Sequence, residues 1–349
     1  MKRAAIAAAA VLLIVEVALR IVGYAAPAWY QLDTRLGWTL KRHKHGWYFA
    51  GGERIAIYIN SAEMRDREHP LDKPEGVYRI AVLGDEYSEA FNVPIQRTWW
   101  WQLPRALQAC GSAKPVEVLN FAVGGYGTAQ EMVMLETTAM RYQPDLVLLQ
   151  FSPNDVMDNS PALATEKRRP FFVLDSHGQP HIDDSFVWTP GFDRYMQTRY
   201  RLAEEIADHS RTYQLGRQLA ELAFIGDAHA EDDTAVLRAP HDATWEGAWR
   251  VTEAVIAKMG TLTHRNGAQL AVLAIPRVGR VGEGMGYPEQ RLTAFGKQNG
   301  IEVVTLNDAL QPAMVLPSGR WSVEAHGVAA RTVAQRLCSS KFGDRARTP

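Results

Sequence analysis

Four short segments of this chain concentrate side chains that can do chemistry. They are Gly84-Asp85-Glu86-Tyr87-Ser88-Glu89-Ala90, the run from Asn120 to Thr128 with its Gly124-Gly125 pair, Ser152-Pro153-Asn154-Asp155, and Pro317-Ser318-Gly319-Arg320-Trp321-Ser322. Glu86 is a carboxylate able to act as nucleophile or base, but no second acid stands in register with it. Arg320 keeps its proton at any working pH, so it supplies fixed charge and never general-base catalysis. Ser88 sits two residues past Glu86, on a turn entering a helix, where capping or surface exposure is the plainer role. Ser152 ends a strand. His326 lies six residues past Arg320 inside a helical stretch and reads as a packed or surface histidine rather than a displaced base. Asp85 and Asp155 read as supporting hydrogen-bond groups of their turns. His43, His45, His177 and His181 have no ligand spacing on one helix, and two cysteines cannot build a zinc cluster, so no metal site and no cofactor is implied.

An alternation of strands and helices places these segments. Continuous aliphatic runs at Val77–Leu83, Val116–Asn120, Leu146–Phe151, Gln269–Ile275 and Glu302–Leu306 read as strands buried on both faces. Helical periodicity fills the gaps at Trp99–Ala109, Ala129–Met140, Thr244–Asn266, Tyr287–Asn299 and Val323–Cys338. Asn266-Gly267 and Asn299-Gly300 are left-handed stop signals before strands. The alternation predicts an α/β fold, a parallel five-stranded sheet with helices on both faces. Ligands of such sheets bind outside the C-terminal strand ends, where all four segments fall or which they border. Residues 157–243 break the rhythm and read as an insertion. It holds a hairpin around Ser176-His177-Gly178 and a long helix over Tyr200–Phe224.

The first thirty residues have another purpose. Lys2 and Arg3 precede an apolar run, and Ala4 to Gly23 is twenty residues, enough to cross a ~30 Å hydrocarbon core. Glu16 and Arg20 are four apart and share a helix face. Tyr24, Trp29 and Tyr30 read as an aromatic belt. A cleaved signal peptide is the alternative, but Pro27 inside Ala26-Pro27-Ala28 and the charged pair speak against it. The expected division is an anchor over 1–30, an entry segment over 31–75, the main domain over 76–339 with its insertion, and a tail over 340–349. Lys2 and Arg3 put the N-terminus in the cytoplasm and the rest outside. The 38 basic and 39 acidic residues leave a net charge of -1, with no basic excess to neutralise nucleic acid. With 46% hydrophobic and 22% charged residues the chain is neither disordered nor fibrous. Trp99-Trp100-Trp101 cannot share one helix face, so at least one ring is exposed or meets another segment.

The four segments, in order and each at a strand end or before a helix, resemble the blocks of the SGNH/GDSL hydrolases, from about Asn60 to Ser339. That resemblance implies a flavodoxin-like three-layer fold. It also implies acyl transfer by a serine nucleophile, with a histidine base, an orienting aspartate and oxyanion donors from a glycine and an asparagine. Carried onto this chain, the nucleophile position is Glu86, the base position Arg320, and the aspartate position Pro317 or Ser318. The oxyanion positions are Gly125 and Asn154. The donors are kept and the triad is lost, so the resemblance implies a degenerate member, inactive as a serine hydrolase. Glu86 and Arg320 in those two places are expected to face each other as a bidentate ion pair. Anchored relatives act in cell-envelope polysaccharide acylation. The expected setting is therefore the bacterial inner membrane with a periplasmic domain, and the expected partners are an acylated glycan or an envelope protein. In the flavodoxin-like strand order the helices ending at Cys110 and Cys338 lie side by side, which makes a disulfide between them expected.

Overall fold

The computed structural model describes residues 2–50, 53–194, 200–223 and 233–340. Residues 341–349, nearly all of the expected tail, lie outside the described residues. The strands are β1 (Tyr30–Asp33), β2 (Gly37–Leu40), β3 (His45–Ala50), β4 (Glu53–Tyr58), β5 (Tyr78–Leu83), β6 (Val116–Asn120), β7 (Leu146–Phe151), β8 (Phe171–Leu174), β9 (Pro180–Asp183), β10 (Gln269–Ala274) and β11 (Glu302–Thr305). The helices are α1 (Lys2–Ile21), α2 (Glu86–Glu89), α3 (Trp99–Ala109), α4 (Thr128–Thr137), α5 (Asp155–Asp158), α6 (Pro190–Arg194), α7 (Tyr200–His209), α8 (Arg211–Ala223), α9 (Ala243–Arg265), α10 (Tyr287–Asn299) and α11 (Val323–Ser339).

The central sheet runs β11-β10-β7-β5-β6 and every pairing in it is parallel. Counting these five strands in chain order gives 2-1-3-4-5, the flavodoxin-like order. Alternate residues serve opposite faces, as strand geometry requires. Ala81, Leu83, Leu119, Val147, Leu149 and Val272 join one core with Met132 of α4, Trp249 of α9 and Leu292 of α10. Ile80, Val82, Val118, Leu148 and Leu273 join the other with Trp100 of α3 and Val333 of α11. Both faces of β5 and β7 are covered, so all six residues of each are buried. Gly267 and Gly300 take φ of 75° and 68° in front of β10 and β11, as their sequence signal implies.

Two tryptophans of the triplet, Trp99 and Trp100, are fully buried, and the half-buried Trp101 ring meets Arg67 at 5.2 Å. The disulfide is present. Cys110 and Cys338 are bonded with Cα atoms 6.4 Å apart, and the α3 and α11 ends lie together.

The entry segment over 31–75 is packed onto the main domain. Leu36, Leu40, Ile55, Ile57, Ile59 and Met64 pack into the α4–α9 core. Two sequence expectations change. Trp29 and Tyr30 do not form a membrane belt: Trp29 meets Phe91 edge-on and Tyr30 stacks on it. The reason is local, because Lys41 N–H pairs with Trp29 C=O and β1 with β2, which folds this segment back onto the domain. The long helix breaks at Ser210 into α7 and α8, where Ser210 Oγ caps Tyr213 N–H and competes with the helical ladder. Phe224, its expected end, lies outside the described residues. Between β7 and α9 the chain also carries the β8–β9 hairpin, with Gly178 at φ 74° in its turn.

Candidate active site

The C-terminal ends of β5, β6 and β7 and the segment before α11 converge on one crevice. β5 ends at Leu83, and Asp85 starts α2 by accepting Tyr87 N–H at 2.9 Å. Glu86 is therefore the first residue of α2, half-buried, and its Oε2 accepts Gly125 N–H at 3.2 Å. Gly125 has φ 76°, a conformation that favours glycine and turns its N–H toward α2. Its own carbonyl accepts Arg169 at 3.1 Å, so the residue is held from both sides.

The expected bidentate pair is not formed. Arg320 Nη1 donates to the Glu86 backbone carbonyl at 3.4 Å, while the Glu86 carboxylate turns to Gly125. A fixed backbone N–H and a nearby guanidinium compete for one carboxylate, and the N–H takes the hydrogen bond. Arg320 still feels the charge. Burial alone would lower its pKa, but Glu86, Tyr48, Glu89 and Tyr30 outweigh burial and raise it. Ser318 and Pro317 are exposed, so no group at the orienting position reaches into the crevice. Asn154 starts α5, and its amide donates to Asp158 Oδ2 at 3.1 Å. Asp158 in turn pairs with Arg169 at 3.1 Å.

The other candidates fall into a buried layer beneath. Ser88 is neither a cap nor a surface serine: its hydroxyl donates to Gln150 at 2.9 Å and accepts Trp99 Nε1 at 3.1 Å. It follows Glu86 by two residues on a four-residue turn, which points it into the core. Ser152 Oγ donates to Asp85 Oδ2 at 2.5 Å. Burial, then the Glu86 charge, pushes the Asp85 carboxyl up to about 8. Asp155 accepts Thr128 Oγ1 at 3.2 Å, and burial followed by Glu131 raises it well above its usual value. His326 is buried beside Trp321, and burial followed by the Arg65 charge lowers its pKa to about 3, which keeps it neutral.

Sequence reasoning missed Glu89, Tyr30, Trp38, Arg169 and Glu131. Glu89 is fully buried three residues after Glu86. It accepts the Tyr30 hydroxyl at 2.8 Å and Gly124 N–H at 3.0 Å, and burial pushes it up to about 7. The helical i, i+3 spacing from Glu86 was a readable signal. Trp38 Nε1 donates to Gly124 C=O at 3.0 Å, and the Arg169 guanidinium lies 5.0 Å over the Trp38 ring. A Cβ on Gly124 would stand 2.8 Å from both Glu89 Oε2 and the Tyr30 hydroxyl, so a larger residue there would have to displace the ends of those two side chains.

Sheet order, block order and the meeting of all four segments at one sheet edge now coincide. The strand order is flavodoxin-like, and in the order and placement of its four segments the chain is similar to the SGNH/GDSL hydrolases. A curated arylesterase of Vibrio mimicus is 25% identical over 136 residues, covering 38% of this chain and 67% of the relative. Among solved structures, TesA superposes with a TM-score of 0.42 at 13% identity, over 74% of this chain and 97% of TesA. A catalytic variant of Axe2, an acetylxylan esterase from Geobacillus stearothermophilus, gives 0.40 at 13%, over 74% of this chain and 94% of Axe2. A GDSL-like lipase from Bacteroides thetaiotaomicron gives 0.35 at 13%, over 75% and 88%. No protein-family model matches the chain.

This SGNH-like crevice presents two carboxylates, Glu86 and Glu89, each on one of two consecutive backbone N–H groups. Such groups would serve a developing oxyanion in acyl transfer. With a carboxylate already there, an oxyanion ~4 Å away meets repulsion of about 4 kcal/mol at an effective dielectric of about 20.

Proposed function

We propose that this protein is a single-pass membrane protein with an SGNH/GDSL-type domain that has lost hydrolase chemistry. It binds an acylated glycan or an envelope partner through the retained crevice. The observation that carries this is Glu86 Oε2 on Gly125 N–H. The residue at the nucleophile position satisfies the donor that the resemblance assigns to the oxyanion. Glu86, Arg320 and Ser318 stand at the triad positions without a hydroxyl nucleophile or a titrating base. Asp85 and Asp155 serve as supporting groups. The exposed, apolar α1 of 20 residues supports a membrane span. Lys2 and Arg3 support a cytoplasmic N-terminus, and the disulfide fits a periplasmic domain on a bacterial inner membrane.

A second reading, an unconventional esterase or acyl transferase, is favoured by Glu89. A carboxyl with its pKa near 7 suits acid–base work at neutral pH. Hydrolysis of p-nitrophenyl acetate by the full chain, by Glu86→Ala and by Glu89→Gln separates the two. We expect no turnover above buffer for any of them. Turnover by the parent that Glu86→Ala or Glu89→Gln abolishes overturns the pseudo-hydrolase reading. Thermal stabilisation by an acetylated oligosaccharide, lost on Arg169→Ala, tests the binding role.

A further inference from the structure

The ion pair inside α1 has partners that a simple anchor does not need. Glu16 and Arg20 bond to each other at 2.7 Å. Glu16 also accepts Arg211 N–H at 3.1 Å, Thr212 N–H at 2.9 Å, Thr212 Oγ1 at 3.0 Å and Ser210 Oγ at 3.3 Å. It therefore caps the N-terminus of α8, where a carboxylate meets both unpaired N–H groups and the helix dipole. Arg20 donates to His209 C=O at 2.5 Å, the carbonyl that ends α7. The two charges of the anchor thus hold the two sides of one turn, α7–Ser210–α8. Further along, Tyr24 Oη donates to Gln218, Ala26 N–H to Gln214, and Arg217 to Ala26 C=O, so α8 is fastened to the chain leaving α1.

Depth follows from helix geometry. Glu16 lies five residues before the end of α1, about 7 Å along its axis. If α1 spans a bilayer, Glu16 and the turn bonded to it lie at or just below the headgroup layer. A lone carboxylate at that depth is costly, and here it is fully hydrogen-bonded. The side chains around the turn suit that place. Leu12, Leu13, Ile206 and Tyr213 line one groove between α1 and the turn, with Glu205 and His209 as its polar rim. Ile206 is 40% exposed, Tyr213 42%, and Leu12 and Leu13 over half. The groove is continuous with the outer face of α1, so what covers α1 covers the groove.

We propose that the α7–α8 turn is a membrane-insertion element. It enters the headgroup–acyl boundary beside α1, with phospholipid acyl chains filling the Leu12-Leu13-Ile206-Tyr213 groove, and the Glu16–Arg20 pair joins it to the anchor. The inference rests on reading α1 as a span. Single spin labels at Leu13→Cys, Ile206→Cys, Tyr213→Cys and, as a water-exposed reference, Ser176→Cys would be introduced one at a time. The full chain would sit in phosphatidylcholine–phosphatidylglycerol vesicles, and collision with oxygen and with a water-soluble nickel chelate would be measured. We expect labels 13, 206 and 213 to meet the chelate several-fold less than label 176. Glu16→Ala should raise chelate access at 206 and 213 several-fold and leave 13 unchanged. If 13 is in lipid while 206 and 213 read as water, the insertion proposal is wrong and the anchor stands. If 13 also reads as water, the anchor reading falls and the proposal with it. Unchanged access at 206 and 213 in Glu16→Ala overturns the role of the ion pair.

Discussion

Two sets of carboxylates lie one layer apart and are treated in opposite ways. At the crevice, Glu86 and Glu89 each rest on a backbone N–H, Glu89 also on a tyrosine hydroxyl, with Arg320 close by. Beneath them, Glu131 and Asp155 are both fully buried, whereas Glu86 is only half-buried. Among the described residues neither Glu131 oxygen nor Asp155 Oδ1 has a hydrogen-bond partner. Burial raises both well above the ordinary range, helped by the Asp85 charge at Glu131 and by Glu131 at Asp155, so the lower layer keeps its protons. The upper set is held by hydrogen-bond donors, and the lower set is neutral acid sealed in the core.

The largest break in this contrast is Arg65→Ala. Arg65 is fully buried and donates to Glu89 C=O at 2.7 Å, to Ala90 C=O and to Val93 C=O at 2.6 Å, which fixes the turn that carries both crevice glutamates. Its loss removes the donor to the buried Glu89 and Val93 carbonyls, while Ala90 C=O keeps Val93 N–H at 3.1 Å, and we expect about 3 kcal/mol of destabilisation in urea titration. A smaller loss would mean that water or another donor replaces it.

Glu131→Gln sharpens the contrast from below. A carboxyl whose folded pKa is raised keeps its proton in the native state and releases it on unfolding above its usual value of 4.5. The unfolded state then binds fewer protons, and stability falls as pH climbs from about 4.5. Glutamine removes that penalty. Its melting temperature should therefore gain on the parent's steadily between about pH 5 and 8, and a constant difference would place the proton elsewhere. The smallest effect belongs to Ser318→Ala, because Ser318 is exposed outside both layers. We expect a change within about 0.5 kcal/mol in the same titration.

The fold was legible in the chain because a parallel strand buried on both faces has no polar interruptions. Leu146–Phe151 and Tyr78–Leu83 announce themselves that way. Gly125, Asn154, Glu86 and Arg320 were legible by block order, and the structure brings Gly125, Glu86 and Arg320 into contact. Which hydrogen bond Glu86 makes was not legible, since that choice depends on a third partner, the Gly125 amide, arriving at a set angle. Arg169 has no periodic or local signal, because it reaches Gly125 and Asp158 only through the chain's return from α5 to β8. Tyr30 was misplaced because an aromatic after an apolar helix looks the same whether it meets lipid or Phe91. Glu131 sits in a helix whose residues 128–135 are all buried, and one charge in Met132-Val133-Met134-Leu135 company normally marks a solvent face.

The bond between Cys110 and Cys338 makes most of the domain a covalent ring, closed across a sequence separation of 228. The α1 helix leaves that ring on its N-terminal side. A protease that cuts once anywhere inside the ring opens it without releasing anything. The downstream piece, with α11, stays fastened through sulfur to the piece that carries α1. Shedding from whatever α1 holds then takes a second cut or a reductant.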